Sequence, residues 1–175
     1  MPLLWIDLEM TGLDEKTHVI LEAAAVVTDL DFQPLDRFHR IVLQPQEELD
    51  KMDAWCRKTH GKSGLTEQVK TGAPIAEVER ALLAFASRHF KPEDRIVLCG
   101  NSIGNDRRFL ETYTPEFAKK LHYRMIDVSS FKEIFREKYG IKVQKKETHR
   151  ALDDIQESIN ELKTYLSYVR VPEKT

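Results

Sequence analysis

Two acidic residues stand in what the sequence predicts to be a first buried strand. Residues 3–8 are apolar except for Asp7, and Glu9 follows two positions later. Because side chains alternate along a strand, Asp7 and Glu9 share one face while the apolar residues around them share the other. Two carboxylates held together in a partly buried place repel each other, and a divalent cation such as Mg²⁺ or Mn²⁺ offsets that cost. The spacing equally fits a strand end whose acids point into water, so both interpretations stay open.

Further candidates for chemistry lie far along the chain. Asp106 follows a Gly-Asn-Ser turn after a short apolar strand, at the kind of strand end where α/β sheets bind ligands. Asp153 and Asp154 lie off the apolar face of the last predicted helix, and His149 lies at or just before its first turn. Each has an ordinary alternative, because helix dipoles favour acids at N-termini and exposed side chains need no function. Spacing does not decide which of the two adjacent aspartates serves a site.

An α/β framework is required to bring these residues together. Periodicity and turn residues predict five strands, in residues 3–8, 19–28, 38–43, 95–99 and 124–127. They predict helices in residues 47–60, 74–89, 106–113, 128–139 and 152–166. The stretch HGKSGLT at residues 60–66 is predicted to be a loop. The connection around Pro34 is short, which favours antiparallel pairing of the first strands.

Composition narrows the function classes. The chain has 27 basic and 29 acidic residues among 175, a net charge of −2, which does not favour wrapping of long nucleic acid. Cys56 and Cys99 form no CxxC pair, so neither a thiolate zinc site nor a disulfide framework is predicted. Apolar runs are too short for a membrane span, and no signal or presequence pattern is seen. We expect one domain in residues 1–170, a frayed tail at 171–175 and a cytoplasmic location.

Five longer stretches carry a resemblance to a known family. They read WIDLEMTGL, AWCRKTHGKSGLT, GNSIGNDRRFL, HYRMIDVSSFKE and HRALDDIQESINEL, and the likeness runs from about residue 3 to residue 168. The acids on the first strand, the mid-chain aspartate and the final His-x-Ala-x-x-Asp motif resemble the DEDDh exonucleases, and the longer stretches resemble their oligoribonuclease branch. The resemblance implies a ribonuclease H-like α/β fold. Its mixed sheet has antiparallel first three strands and further parallel strands, and helices flank it.

The resemblance assigns roles to the acids and the histidine. It implies one set of ligands for two divalent cations, Mg²⁺ or Mn²⁺: Asp7, Glu9, Asp106 and Asp154. It implies that His149 is the general base, because an imidazole with its ordinary pKa of about 6.5 accepts a proton near neutral pH. The implied reaction is 3′-to-5′ hydrolysis of dinucleotides and very short oligoribonucleotides to nucleoside 5′-monophosphates, which completes RNA degradation.

The resemblance also implies a reason for the preference for short substrates. Leu13 would pack against bases and Trp55 would line the pocket. The alternative for Leu13 is a core position at the end of a strand, and the sequence pattern alone favours a core position on a helix for Trp55. Four residues would cap the 5′ phosphate, namely His60, Ser102, Arg124 and Ser129, and Tyr123 would stack nearby. Hydroxyls, a guanidinium and an imidazole bind phosphate well, and such a cap closes the cleft behind a short substrate. His60 and the Tyr123–Arg124 pair would approach from opposite protomers, which implies a homodimer.

Two rival functions remain. A broader DEDDh nuclease would share the acids and the histidine but lack the HYR…DVSS and AWC…HGKSG stretches, and this chain has both. A nucleotide-binding module without catalysis would have lost catalytic positions, and all five are intact. The charge-rich residues 144–150 form either a solvated loop or an attractive rim for an anionic substrate. The segment between Gly140 and Lys145 is short compared with many relatives, which leaves the loop near His149 open.

Overall fold

Five strands form the centre of the protein. In the computed structural model, which describes residues 2–144 and 150–172, they are β1 (Leu3–Met10), β2 (Ile20–Thr28), β3 (Pro34–Ile41), β4 (Ile96–Gly100) and β5 (Leu121–Asp127). Their order across the sheet is β3-β2-β1-β4-β5. The first three strands pair antiparallel, whereas β1, β4 and β5 run parallel to one another. The predicted mixed α/β sheet is therefore confirmed.

Helices cover both faces of this sheet. They are α1 (Gln46–Leu49), α2 (Ala54–Lys62), α3 (Leu65–Gln68), α4 (Ile75–Ser87), α5 (Gly104–Tyr113), α6 (Pro115–Ala118), α7 (Val128–Tyr139) and α8 (Ala151–Ser167). On one face, α4, α5 and α6 pack against the core through the buried side chains of Phe85, Phe109 and Phe117. Helices α7 and α8 pack on the other face, where Phe135 is buried. A third apolar cluster joins α1, α2 and α3 to Leu21 near the start of β2.

The alternation of side chains along β1 determines where its acids point. Every second residue from Leu4 packs in the core beneath α4, whereas Leu3 and Trp5 pack in the core beneath α8. Asp7 and Glu9 continue the series of Leu3 and Trp5, so they face α8 beyond the end of its apolar core. The strand thus directs both carboxylates toward the first turn of the last helix.

Three strand ends gather at one edge of the sheet. Because β1, β4 and β5 are parallel, their carboxyl ends lie side by side. Glu9 near the end of β1, Asn101 just after β4 and Asp127 at the end of β5 therefore lie along the same edge. Ligands of α/β sheets commonly bind at such an edge.

The structure differs from the predicted elements between β2 and α4. Strand β3 begins at Pro34 rather than at residue 38, because an edge strand can start with a residue that has no N–H to donate. The prediction of a loop over residues 60–66 is mostly wrong, since α2 continues to Lys62 and α3 begins at Leu65. Gly64 lies between them with φ of 76°, a left-handed conformation that glycine adopts at little cost.

The longer helices follow the sequence pattern closely. Helix α7 occupies the predicted residues 128–139, and α4 and α8 begin within one residue of their predicted starts. Within the described ranges, every helix is too short or too polar to cross a lipid bilayer.

Candidate active site

A cluster of carboxylates lies where β1 faces α8. One carboxylate oxygen from each of Asp7, Glu9 and Asp154 lies within 4.8 Å of the other two. Asp154 is partly buried in the first turn of α8, whereas the neighbouring Asp153 is exposed. The fold therefore brings Asp154 to the strand acids, a choice that the helix pattern alone left open.

Burial and mutual repulsion govern the protonation of these acids. Burial, followed by the charges of Asp154 and other nearby acids, raises the pKa of Glu9 to about 8. The pKa of Asp7 also lies well above its ordinary range, first through burial and then through the charges of Asp106 and Glu9. A divalent cation binds oxygen ligands and removes this repulsion, so the donor set fits a cation such as Mg²⁺ or Mn²⁺.

Asp106 lies beside this cluster in the first turn of α5. Its side chain is buried, and its Oδ1 atom accepts a hydrogen bond from the backbone N–H of Leu8 at 2.9 Å, which ties α5 to β1 between the two strand acids. Burial raises the pKa of Asp106 to about 7, although the hydrogen bond from Leu8 lowers it. Among the described residues, the close group of oxygens does not include Asp106. Its role as a ligand stays a prediction.

The predicted general base lies outside the described residues. His149 belongs to residues 145–149, and the charge-rich run 144–150 is described only at Gln144 and Arg150. The role of His149 and the attractive rim therefore stay predictions.

A groove of about 590 Å³ opens beside the carboxylate cluster. Glu9, Leu13 and Trp55 line it, and Leu13 and Trp55 are 67% and 60% exposed. Trp55 is therefore not a core residue of its helix, and α2 buries Cys56 and His60 instead. Exposed apolar surfaces beside an acid cluster offer planes on which nucleobases can stack. The structure brings both predicted base contacts to one groove.

The loop that carries Leu13 is held tightly at its base. The backbone N–H of Thr11 donates to the carbonyl of Val19, and the N–H of Val19 donates to Thr11 Oγ1, each at 3.0 Å. A Cβ atom on Gly12 would lie 2.5 Å from Nε2 of His18, so only glycine permits the imidazole to pack there. The position of Leu13 thus depends on Thr11 and Gly12, which precede it, and on the packing of His18.

His60 lies below the groove and is only 1% exposed. Its Nε2 atom donates to the backbone carbonyl of Met10 at 3.0 Å, and its Nδ1 atom lies 3.9 Å from Glu9 Oε2. Because a carbonyl only accepts, Nε2 carries a proton, and only a doubly protonated ring can form an ion pair with Glu9. His60 therefore adjoins the acid cluster of its own chain, and its contact with a 5′ phosphate stays a prediction.

Ser102 and Ser129 meet at the carboxyl ends of β4 and β5. Their Oγ atoms are 3.1 Å apart, and Asp127 Oδ1 accepts the backbone N–H of Ser102 at 3.0 Å and of Ser129 at 2.9 Å. Asn101 Oδ1 accepts a further hydrogen bond from Ser129 Oγ at 3.2 Å. Ser102 has φ of 49°, a left-handed conformation that is uncommon outside glycine. The two hydroxyls are thereby fixed side by side, and their contact with a 5′ phosphate stays a prediction.

Tyr123 and Arg124 lie on β5, an edge strand of the sheet. Tyr123 is 71% exposed and stacks on the ring of His122 with a centroid distance of 4.5 Å. Arg124 Cζ lies 5.3 Å from the centre of the Tyr123 ring. In the described part of the chain, neither side chain lines the groove that contains Leu13 and Trp55.

Sequence reasoning missed several polar residues that organise this region. The buried Glu22 pairs with the partly exposed Arg150 behind the acids, and Asn101 and Asp127 hold the two serines. Glu22 had the same signal as Asp7, since it is a single acid within an apolar strand. Its partner Arg150 is 128 positions away, and no local pattern links the two.

The chain is similar in sequence to known exonucleases. Residues 4–162 match the RNase_T family, described as exonuclease. The chain is 46% identical over 168 residues to the oligoribonuclease of Marinobacter nauticus, and the match covers 93% of each protein. It is 45% identical over 169 residues to the mitochondrial oligoribonuclease of Homo sapiens, with 93% of this chain and 71% of that protein covered.

Solved structures show the same fold. Exonuclease I from Methylocaldum szegediense superposes with a TM-score of 0.69 at 16% identity over 95% of this chain. E. coli exonuclease I in complex with a 5cy-dA13 oligonucleotide superposes with a TM-score of 0.67 at 14% identity, again over 95% of this chain. This chain spans 40% of the length of either protein, so the likeness concerns the ribonuclease H-like exonuclease fold.

Proposed function

The chain belongs to the oligoribonuclease branch of the exonuclease family, and on that premise we propose that it hydrolyses dinucleotides at a site where Asp7, Glu9, Asp106 and Asp154 would hold two divalent cations. The protein is a 3′-to-5′ exoribonuclease that hydrolyses short oligoribonucleotides. The observation that carries the proposal is the carboxylate cluster beside a groove lined by Glu9, Leu13 and Trp55.

In the proposed hydrolysis, the acids hold the cations and His149 is the general base. Two divalent cations, Mg²⁺ or Mn²⁺, would supply the charge that activates water and offsets the negative charge developing at phosphorus. His149 accepts the proton of the attacking water, and the bond between phosphorus and the 3′ oxygen breaks. The 3′ oxygen leaves and takes a proton from solvent, so the product is a nucleoside 5′-monophosphate. Leu13 and Trp55 hold the bases while the terminal phosphodiester lies at the acids.

We propose that the two serines at the carboxyl ends of β4 and β5 restrict the length of the substrate. Ser102 and Ser129 would bind the 5′ phosphate, and Arg124 and Tyr123 of a second protomer would close over it. The exposure of these two side chains on an edge strand, outside the groove lining of their own chain, supports this arrangement. We therefore propose a homodimer in which His60 and the Tyr123–Arg124 pair come from opposite protomers.

To test the function, the hydrolysis of 5′-labelled oligoribonucleotides of two to seven residues is followed over time. Each length is tested with Mg²⁺, with Mn²⁺ and with a chelator. Consumption of the dinucleotide fastest, and only with metal, supports the proposal. Asp154→Ala should abolish release, whereas the matched variant Asp153→Ala should retain it, because only Asp154 joins the acid cluster. Ready cleavage of long chains with accumulation of dinucleotides would instead show a general exonuclease. Binding without release would show a binding module.

The cellular location is part of the proposal. We place the enzyme in the cytoplasm, because both cysteines are free and buried, as in proteins of a reducing compartment. The human relative is named mitochondrial, so fractionation of the cells of origin decides between the two locations.

A further inference from the structure

Glu22 is a buried carboxylate on the strand next to the catalytic acids. It is 1% exposed and pairs across the sheet with Glu9, so both side chains lie on the α8 face. Its Oε1 atom accepts hydrogen bonds from His39 Nε2 at 2.6 Å and from Arg150 Nη2 at 2.9 Å. Its Oε2 atom accepts the backbone N–H of Ala151 at 3.3 Å. A carboxylate this deeply buried persists only with such partners.

Arg150 connects Glu22 to three other parts of the site. Besides the carboxylate, its guanidinium donates to Gln68 Oε1 at 3.2 Å and to the carbonyl of Ser63 at 3.5 Å, in the segment that follows α2. Its own carbonyl accepts the backbone N–H groups of the next turn, including that of Asp154 at 3.0 Å. The Arg150 side chain thus joins β2 to the segment that follows α2, and its backbone carbonyl begins the first turn of α8.

We propose that Glu22 and Arg150 form a clamp that positions Asp154 against Asp7 and Glu9, so that the metal centre is assembled before substrate binds. Glu22 is a positioning residue and touches neither substrate nor cation. Three observations carry the inference: the pairing of Glu22 with Glu9, the hydrogen bond that the first residue of α8 donates to Glu22, and the two bonds that the Arg150 guanidinium, one residue before α8, donates to Glu22. The inference rests on the proposed function.

The expected effect follows from how residues behind metal ligands act elsewhere. Partners that orient ligands typically change metal affinity or activity by about 10–100-fold when they are replaced. We expect Glu22→Gln and Arg150→Gln each to weaken Mn²⁺ binding and lower kcat within that range, with little change in KM for a dinucleotide. The double variant should lose little more than either single variant, because the two residues act as a unit. Arg150→Lys should recover part of the loss, since it keeps the charge.

The test measures Mn²⁺ affinity by calorimetry on the chelator-treated protein, together with melting temperature and kinetics on a 5′-phosphorylated dinucleotide. Asp36→Asn is the matched control, because Asp36 also pairs with an arginine and a histidine, Arg88 and His89, but on an edge strand away from the groove. The control should lower the melting temperature without changing Mn²⁺ affinity. If Glu22→Gln fails to fold, the two Arg150 variants decide the question by the same measurements.

Two results would overturn the clamp. Unchanged Mn²⁺ affinity in both single variants would show that the pair only stabilises the fold or acts on the neighbouring His149. Additive losses in the double variant would show that Arg150 acts independently of Glu22, as a direct substrate contact would. Turnover by the wild-type protein tests the proposed function, whereas the Mn²⁺ affinity of the variants tests the clamp. The clamp can therefore be tested even if the wild-type protein releases no mononucleotide.

Discussion

At the scale of single residues, the carboxylate cluster lowers the stability of the metal-free protein but provides ligands for a metal ion. Asp7 and Glu9 are partly buried beside other acids, and the charge of Arg150 offsets only part of the resulting rise in the pKa of Glu9. Burial is the largest cause of the raised pKa of Glu9. A site built in this way lowers the stability of the metal-free protein, and the protein regains that stability when a cation binds.

Replacing Glu9 separates these two effects. In a chelator, Glu9→Gln should be more stable than wild type by roughly 1–3 kcal/mol, because a neutral amide neither repels the other acids nor loses the hydration of a charge. With Mn²⁺ the order should reverse, because wild type gains stability from the cation and the variant does not. Melting curves with and without Mn²⁺ measure both. Asp153→Asn, next to the cluster but exposed, serves as control, and a less stable variant in chelator would contradict the argument.

Individual residues were predictable to different degrees. Strand alternation alone placed Asp7 and Glu9 on one face, but it left open whether they bind a cation or point into water. Choosing Asp154 over Asp153 required the family pattern or the fold, since both lie off the apolar face of α8. Glu22 carried the same signal as Asp7, and its different role depends on Arg150, which the fold alone brings to it.

At the scale of elements, strong periodicity determined what could be predicted. Helices α4, α7 and α8 each have a continuous apolar face against the sheet, so sequence spacing located their ends within two residues. The short helices α1 to α3 have no such face of their own, because they pack together around Leu21. Their boundaries are tertiary features and could not be read from local spacing.

The loop that presents Leu13 is an element whose shape depends on one glycine. Gly12→Ala would place a Cβ 2.5 Å from the His18 ring, so the ring or the loop must move. Overpacking of this kind costs about 1–3 kcal/mol, and we expect a lower melting temperature and a raised KM for the dinucleotide. Adding His18→Ala should restore part of both, since it removes the clash. If the second substitution restores neither, the packing of His18 on Gly12 does not position Leu13.

Asp36 on β3 forms ion pairs with Arg88 and His89 at the end of α4, away from the groove, and their contribution to stability depends on pH. Hydrogen bonds from His89 and then Arg88 lower the pKa of Asp36 to about 2. A lowered acid pKa stabilises the fold above the unfolded value of 3.8, and the contribution is lost as the pH falls toward 2. The side chain is 30% exposed, so the contribution at neutral pH is at most about 1 kcal/mol.

Asp36→Asn tests this contribution. The variant should be slightly less stable than wild type at neutral pH, and the difference should narrow as the pH falls from about 5 to about 3. Urea unfolding at several pH values measures it, and catalytic rates at neutral pH should be unchanged. A difference that is constant across this range would mean that the charge of Asp36 does not contribute.

At the scale of the whole molecule, the parallel arrangement of β1, β4 and β5 collects the site at one sheet edge. The acids lie at the end of β1, and the serines lie at the ends of β4 and β5. Tyr123 and Arg124 lie on β5 outside the groove lining of their own chain. A second copy of the chain is the simplest way to bring these two side chains over a groove, so the proposed dimer and the proposed length limit depend on each other.

Mixing two inactive variants tests this dependence directly. Asp7→Ala lacks the metal centre, and Arg124→Ala lacks the guanidinium that would cap a neighbour's substrate. If Arg124 acts in the partner's site, a mixed dimer has one intact site, built from the acids of one chain and the arginine of the other. Statistical exchange of the two proteins should then restore roughly a quarter of the wild-type rate on a 5′-phosphorylated dinucleotide. If Arg124 acts within its own chain, no mixed site is complete and mixing restores nothing. Unmixed variants carried through the same exchange procedure are the control.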